Sequence, residues 1–120
     1  MITIYELGKI GEGIASDYLT TKQVKIIGRN IRTSYGEIDI IGEKDDELIF
    51  FEVKTRRSEK FGNPEDAVDI RKQEHMMHSA MEYMQTHFEG EVAWRIDVIA
   101  IKVKKEGSFM IDWFENAIIN

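Results

Sequence analysis

The chain has 120 residues, of which 42% are hydrophobic and 32% charged, and its formal net charge is -6. This length and composition predict one ordinary globular domain, residues 1–120, built around a single core. The acidic balance argues against a protein that coats nucleic acid nonspecifically, and the lack of cysteine excludes disulfides, a thiolate nucleophile and cysteine-ligated zinc. No stretch approaches the roughly 20 apolar residues of a membrane span, so we expect a cytoplasmic protein without membrane contact.

The N-terminal segment has apolar residues at the spacing that predicts an amphipathic helix from about Ile4 to Leu19. Glu12 falls on the same side as Ala15 and Leu19, so its carboxylate is expected to point at whatever this helix covers. Glycines in the same segment indicate either close packing on a sheet or a late start of the helix. A first strand is predicted next, from Val24 to Asn30.

Two β-rich runs, Ile38–Ile41 and Leu48–Val53, flank a polar segment and predict a β-hairpin. If its turn is centred on Asp45–Asp46, the numbers of paired residues sum to 91. Asp39 then lies directly opposite Glu52, and the two side chains share one face of the hairpin.

Strand alternation extends this register to the whole hairpin. Lys54 joins Asp39 and Glu52 on the first face, which is expected to be the polar one. The second face is expected to be the core, with an unbroken apolar surface made of Ile38, Ile40, Ile49, Phe51 and Val53.

Two carboxylates about 5 Å apart repel by roughly 3 kcal/mol at an effective dielectric constant near 20, so a positive charge is needed between them. Lys54 can supply it, in which case the group is a surface ion-pair cluster. Two carboxylates at this separation also suit a hard divalent cation such as Mg²⁺. The sequence does not decide between the ion-pair cluster and the divalent cation site.

After Arg57 the sequence predicts a loop, with Asn63 as a helix cap and Pro64 at the first helical position. A long helix then runs from about residue 66 or 69 to residue 87, with methionines on its buried face. Gln73 is a polar residue at the start of that apolar stripe, and hydrogen bonding to nearby backbone would explain it. His75 and His78 match no zinc-binding helix motif, so we expect no zinc site.

The segment Val92–Val103 is apolar on both faces and predicts a central strand. Arg95 and Asp97 alternate on one of its faces and are expected to form a salt bridge. A short last strand is predicted at Phe109–Phe114. The element order is therefore αβββαββ, an α/β fold with a mixed five-stranded sheet flanked by helices.

Six segments in a fixed order carry a family resemblance: GEGIA (11–15), GRNIRTSYGEIDII (28–41), FFEVKTR (50–56), FGNPEDAVDIRKQ (61–73), RIDVIAI (95–101) and ENA (115–117). Together they cover nearly the whole chain. The sequence resembles the YraN-like family of uncharacterised proteins, often described as candidate endonucleases. That family is placed in the PD-(D/E)XK nuclease superfamily, which includes archaeal Holliday junction resolvases, and the resemblance implies a restriction-endonuclease-like core.

The resemblance also implies catalytic roles. Asp39 looks like the motif's metal-binding aspartate, although isoleucine rather than proline precedes it, and Glu52 and Lys54 look like its E-x-K pair. Glu12 looks like the helix-borne acid of resolvase-like members, acting on metal through water or at a second ion. The implied cofactor is Mg²⁺ or Mn²⁺, held by Asp39, Glu52 and the Val53 backbone carbonyl.

The implied activity is hydrolysis of phosphodiester bonds in nucleic acid, more readily DNA than RNA, and in structured or branched DNA above all. A homodimer is a further expectation, because structure-specific nucleases often engage two strands symmetrically. The alternative is a catalytically silent nucleic-acid-binding protein that keeps the same fold. Five residues are candidates for contacts with backbone phosphates: Arg29, Arg32, Arg56, Lys72 and, as a looser match, Gln73.

Overall fold

A twisted sheet with a helix on each face organises the chain in a computed structural model that describes residues 2–57 and 69–119. Within these residues the sheet has five strands in the order β1-β2-β3-β4-β5, and only the β3–β4 pair is parallel. The mixed sheet and the predicted element order are confirmed. The elements are α1 (Ile4–Thr21), β1 (Lys25–Thr33), β2 (Gly36–Lys44), β3 (Glu47–Arg57), α2 (Ile70–His87), β4 (Trp94–Val103) and β5 (Phe109–Ile118).

Both helices begin at side-chain caps that satisfy free backbone N–H groups. The Oγ1 of Thr3 accepts a hydrogen bond from the Glu6 N–H at 3.0 Å, and the carboxylate of Asp69 accepts one from the Lys72 N–H at 2.8 Å. The later of the two predicted starts of α2 is therefore confirmed. The predicted cap at residues 63 and 64 lies outside the described residues. Neither described helix is long and apolar enough to cross a membrane.

The hairpin of β2 and β3 has the predicted register. Ile40 pairs with Phe51 and Lys44 pairs with Glu47, so paired numbers sum to 91. Asp45 and Asp46 form the two-residue turn, with φ values of 52° and 63°. Positive φ at both turn positions is typical of a type I′ turn, whose twist matches that of the flanking strands.

Both faces of the hairpin are buried, which corrects the prediction of one core face and one polar face. Leu48 and Phe50 share a face with Glu52 and pack under α2, whereas Ile49 and Phe51 pack under α1. The reason is that β3 pairs in parallel with β4 at the centre of the sheet, and helices cover parallel strands on both sides. The predicted central position of β4 is confirmed.

The alternation of side chains along β2 breaks between Ile38 and Ile40. Ile38 packs in the α2-side core and Ile40 in the α1-side core, so the prediction that they share one face is wrong. Asn30 lies opposite Asp39 in the register between these strands, and its φ of 52° is left-handed. Asparagine tolerates this conformation better than most residues, and the break in alternation on β2 lies directly across from it.

Candidate active site

The hairpin register brings Asp39 and Glu52 together where the pairing of β2 with β3 ends. The Oδ2 of Asp39 accepts a hydrogen bond from the backbone N–H of Val53 at 2.8 Å, which ties the aspartate to the strand that carries the glutamate. Glu52 is only 2% exposed although it bears a carboxylate. A buried acid needs compensating charge or coordination, because desolvation strongly disfavours its ionised form.

Two lysines supply part of that compensation. The Nζ of Lys54 lies 3.5 Å from Glu52 Oε1, and the Nζ of Lys72 on α2 lies 3.2 Å from the same oxygen. Among the described residues, the ion pairs of both lysines go to Glu52. The ion-pair interpretation, in which Lys54 neutralises both acids, is therefore not the arrangement observed.

The ionised form of Asp39 is strongly disfavoured. Burial, together with the negative charges of Glu52 and Glu12, raises the pKa of Asp39 from 3.8 to about 8. The Val53 N–H and the charge of Lys72 act in the opposite direction and do not cancel the effect. A proton that a buried carboxyl keeps beside a second carboxylate is one that a bound cation can replace.

Glu12 reaches this region from α1, which lies on the opposite face of the sheet from α2. Gly11 permits a very close approach of the helix to β3, since a Cβ at this position would lie 1.7 Å from the Oγ1 of Thr55. The Oε1 atom of Glu12 is buried and has no hydrogen-bond partner among the described residues. Lys9 Nζ lies 3.6 Å from that oxygen and donates a hydrogen bond to Asn30 Oδ1 at 3.1 Å.

The donor set fits a divalent cation held mainly by two carboxylates. Across residues 2–57 and 69–119, no three acidic or histidine side chains form a ready-made metal cage. Mg²⁺ often takes only one or two protein carboxylates and keeps several waters, so Asp39 and Glu52 suffice as direct ligands. The buried Oε1 of Glu12 makes no hydrogen bond among the described residues, so it keeps the capacity to accept one from water.

Of the other predicted binding residues, some lie at the pair of acids and others lie away from it. Lys72 lies at this pair, and Gln73 lies beside Lys72 in the first turn of α2. Arg56 lines a cavity of about 460 Å³ together with Lys54 and residues of α1. Arg29 and Arg32 lie on the outer strand β1, with the Arg32 guanidinium 83% exposed and 3.8 Å from Glu37.

A second charged cluster lies on the opposite face of the β3–β4 pair and is fully bonded. Its acid, Asp97, pairs with Phe51, the residue before Glu52. Arg95 Nε donates to both oxygens of Asp97 at 3.0 and 3.2 Å, which confirms the predicted salt bridge. Asp97 is wholly buried and also accepts from Trp113 Nε1 at 2.8 Å and from the Asn116 N–H at 2.7 Å. Because its acceptors are satisfied by the protein itself, we assign this cluster to the stability of the fold.

Sequence reasoning did not identify Lys9 or Asn30 as part of the site. The spacing of three between Lys9 and Glu12 on one helix is a recognisable signal, since such pairs face each other. Asn30 has a weaker signal, an asparagine within an otherwise β-rich run. Its hydrogen bond to Lys9 spans 21 residues and cannot be read from local spacing.

The sequence has clear relatives. A family model described as "Uncharacterised protein family UPF0102" matches residues 11–101. The chain belongs to this family. The matched range contains every residue predicted to act in the site, from Glu12 to Gln73.

Two UPF0102 proteins illustrate how closely the family members agree in length and sequence. The chain is 44% identical over 114 residues to a UPF0102 protein of Syntrophomonas wolfei, covering 93% of this chain and 96% of the relative. It is 46% identical over 112 residues to one of Thermodesulfovibrio yellowstonii, covering 93% and 95%. The family is named as uncharacterised, so its name supplies no activity.

Proposed function

We propose that this UPF0102 protein is a metal-dependent endonuclease of the PD-(D/E)XK superfamily that hydrolyses phosphodiester bonds in structured or branched DNA. The observation that carries the proposal is the pair of acids, Asp39 and buried Glu52, beside Lys54 at 3.5 Å. Packing alone gives no reason to bury these charges, and strongly shifted acids are typical of catalytic sites.

In this proposal Asp39, Glu52 and the Val53 carbonyl hold Mg²⁺ or Mn²⁺. The cation supplies Lewis-acid stabilisation of charge on the phosphate and lowers the pKa of water. Asp39 is oriented for this role by the Val53 N–H, which fixes one carboxylate oxygen and leaves the other for a ligand. Glu12 orders water next to the pair or contributes to a second cation.

The basic residues have separate roles. Lys54 donates from Nζ to the attacking water or to a non-bridging phosphate oxygen, since its ammonium lies 3.5 Å from the Oε1 atom of Glu52. Lys72 and Arg56 contact neighbouring phosphates, while Gln73, Arg29 and Arg32 extend the contact surface along the backbone. Such contacts read shape and charge rather than base sequence. The resemblance to junction resolvases favours DNA over RNA and a homodimer.

The test is cleavage of a matched panel of labelled nucleic acids: single strand, duplex, flap, three-way junction and four-way junction, with RNA counterparts. With Mg²⁺ or Mn²⁺, the purified protein is expected to cut at least one branched DNA. EDTA is expected to stop this cleavage. Glu52→Gln is expected to abolish cleavage, because it removes a ligand charge with little change of shape. Glu89→Gln, at an exposed residue outside the site, is the matched control and is expected to cleave like the wild type.

Two results contradict the proposal. Cleavage that persists in Glu52→Gln indicates a contaminating nuclease. Binding to the panel without cleavage in either cation favours the silent nucleic-acid-binding alternative.

A further inference from the structure

An exposed aromatic pair lies beside the candidate site on its α2 side. Tyr35, in the turn between β1 and β2, stacks on His78 of α2 with ring centroids 4.9 Å apart and an angle of 26° between planes. His78 covers one side of the tyrosine ring, yet Tyr35 remains 48% exposed. Large exposed aromatics held in a fixed orientation are typical of binding surfaces.

Hydrogen bonds hold the Tyr35 turn against α2. The Ser34 N–H donates to Glu82 at 2.9 Å, and the hydroxyls of Thr33 and Ser79 lie 2.8 Å apart. The Tyr35 N–H also donates to the Thr33 hydroxyl, at 3.1 Å. The ring is therefore presented by an ordered turn, which lowers the entropy lost when a ligand stacks on it.

A small cleft extends from Tyr35 to Lys72 of the candidate active site. The cleft has a volume of about 120 Å³ and is lined by Tyr35, Glu37, Lys72 and His75, among others. Lys72 is the residue whose ammonium lies 3.2 Å from Glu52. His78 lies six positions after Lys72 in α2, which is about 9 Å along the helix axis.

We propose, on the basis of the proposed function, that Tyr35 and His78 form a stacking platform for an unpaired base next to the phosphate that is cleaved. Bases inside an intact duplex expose their edges but not their faces, so an aromatic ring stacks only on a base that is unpaired or extruded. The substrate class that fits is DNA with a single-stranded segment at the cleavage point, such as a flap or a gap. Lys72 binds a phosphate of the same strand, and the unpaired base stacks on the ring of Tyr35.

The test measures binding apart from cleavage, in EDTA and again in Ca²⁺, with a flap, a gapped duplex and an intact duplex of one sequence. Tyr35→Ala is expected to weaken binding to the flap and the gap about tenfold, the typical effect of losing one stacked base, and to change duplex binding less than twofold. Tyr35→Phe keeps the ring and is expected to bind like the wild type. Phe109→Ala removes an aromatic side chain that is also 48% exposed, on the outer strand β5, and is expected to change nothing.

A fluorescent adenine analogue, 2-aminopurine, at the first unpaired position gives a direct readout of stacking. The wild type and Tyr35→Phe are expected to quench it on binding, and Tyr35→Ala is not. The inference is overturned if Tyr35→Ala binds the flap like the wild type, or if it weakens flap and duplex binding by the same factor.

Cleavage separates this inference from the proposed function. If the wild type cuts flaps and Tyr35→Ala cuts them equally well, the platform is wrong and the nuclease stands. If stacking depends on Tyr35 and no cleavage occurs, the platform stands and the nuclease fails. A wild type that binds none of the three DNAs contradicts both.

Discussion

Asp39 makes the folded protein sensitive to pH in a direction that can be worked out. Its pKa is 3.8 in an ordinary environment and about 8 in the fold, so the folded state holds a proton that the unfolded state releases between these values. The free energy of unfolding of the metal-free protein is therefore expected to fall as pH rises from about 4 to 8. Asp39→Asn has no carboxyl to ionise at this position. Its free energy of unfolding at pH 8.5 is therefore expected to exceed that of the wild type by at least about 1 kcal/mol.

Urea denaturation in EDTA across this pH range measures the effect. Asp112→Asn changes an exposed aspartate on β5 and is expected to keep the slope of the wild type. Parallel pH profiles for the wild type and Asp39→Asn show that Asp39 ionises normally and remove the electrostatic argument for the site.

Asn30 offers a second test at the scale of one residue, because its left-handed φ of 52° is separable from its hydrogen bond to Lys9. Asn30→Gly and Asn30→Ala both lose that bond, but only alanine suffers from the left-handed backbone. The alanine variant is expected to be less stable than the glycine variant by about 1 kcal/mol. Thermal unfolding compares the stability of the two variants. Equal stability shows that the left-handed backbone at residue 30 carries no cost for alanine.

Local spacing in the sequence predicts the position of some residues of the candidate site but not of others. Asp39 lies next to Glu52 because a two-residue turn fixes the register, and the turn residues are visible in the sequence. Lys72 reaches Glu52 only because α2 crosses the sheet at one particular place. That placement depends on the packing of side chains distant in sequence, so it lies beyond local patterns.

The contact of α1 with β3 depends on the absence of a side chain at Gly11. A methyl group there would lie 1.7 Å from Thr55 Oγ1 and 2.8 Å from Thr55 Cβ, so the helix would have to move away. Gly11→Ala is expected to lower the free energy of unfolding by about 1–3 kcal/mol, the usual effect of overpacking. It is also expected to slow any cleavage, because Glu12 is the next residue.

Gly13→Ala is the matched control on the same helix, since nothing lies within 4 Å of a Cβ at that position. It is expected to stabilise the protein by up to about 1 kcal/mol through helix propensity. Chemical denaturation of both variants measures the contrast. Stabilisation by both substitutions indicates that α1 does not pack closely on Thr55.

Elements were easier to predict than the layers they form. Apolar periodicity gave the helices and strands, and the apolar run on both faces of β4 placed it centrally. The same signal is present in Leu48–Phe51, four consecutive apolar residues that are all buried. Polar residues at alternate positions farther along the hairpin favoured a one-sided core, and the covering of both faces by helices depends on the parallel pairing of β3 with β4.

At the scale of the whole molecule, the β3–β4 pair carries a buried acid on each face, Asp97 toward α1 and Glu52 toward α2. The clusters around these two acids differ in how far the protein satisfies their hydrogen bonds. Asp97 accepts from Arg95, Trp113 and Asn116, and the left-handed φ of 51° at Asn116 accompanies a register shift that turns its N–H toward the acid. Asp39 accepts from the Val53 N–H and faces a second acid. The first arrangement stabilises the fold, and the second leaves capacity for a ligand.

The same substitution at the two aspartates is therefore expected to have opposite effects. Under the proposed function, Mn²⁺ is expected to raise the melting temperature of the wild type by binding the folded state. Asp97→Asn breaks a buried ion pair and is expected to lower the free energy of unfolding by about 3 kcal/mol, but to keep that rise. Asp39→Asn is expected to stabilise the metal-free protein and to lose the Mn²⁺ effect. Glu115→Gln, which removes a partner of Arg95 that is 64% exposed, is a milder variant that is expected to cost less than about 1 kcal/mol.

Melting curves in EDTA and in Mn²⁺ for the four proteins measure both effects at once. If Mn²⁺ shifts Asp39→Asn as much as the wild type, the cation binds elsewhere and the candidate site is not a metal site. If Asp97→Asn loses the Mn²⁺ shift while still melting cooperatively, the clusters on the two faces of the sheet are coupled, and the division between a structural and a functional cluster is wrong. Independence of the two is expected because the acids pair with different residues, and substitutions without shared partners act additively.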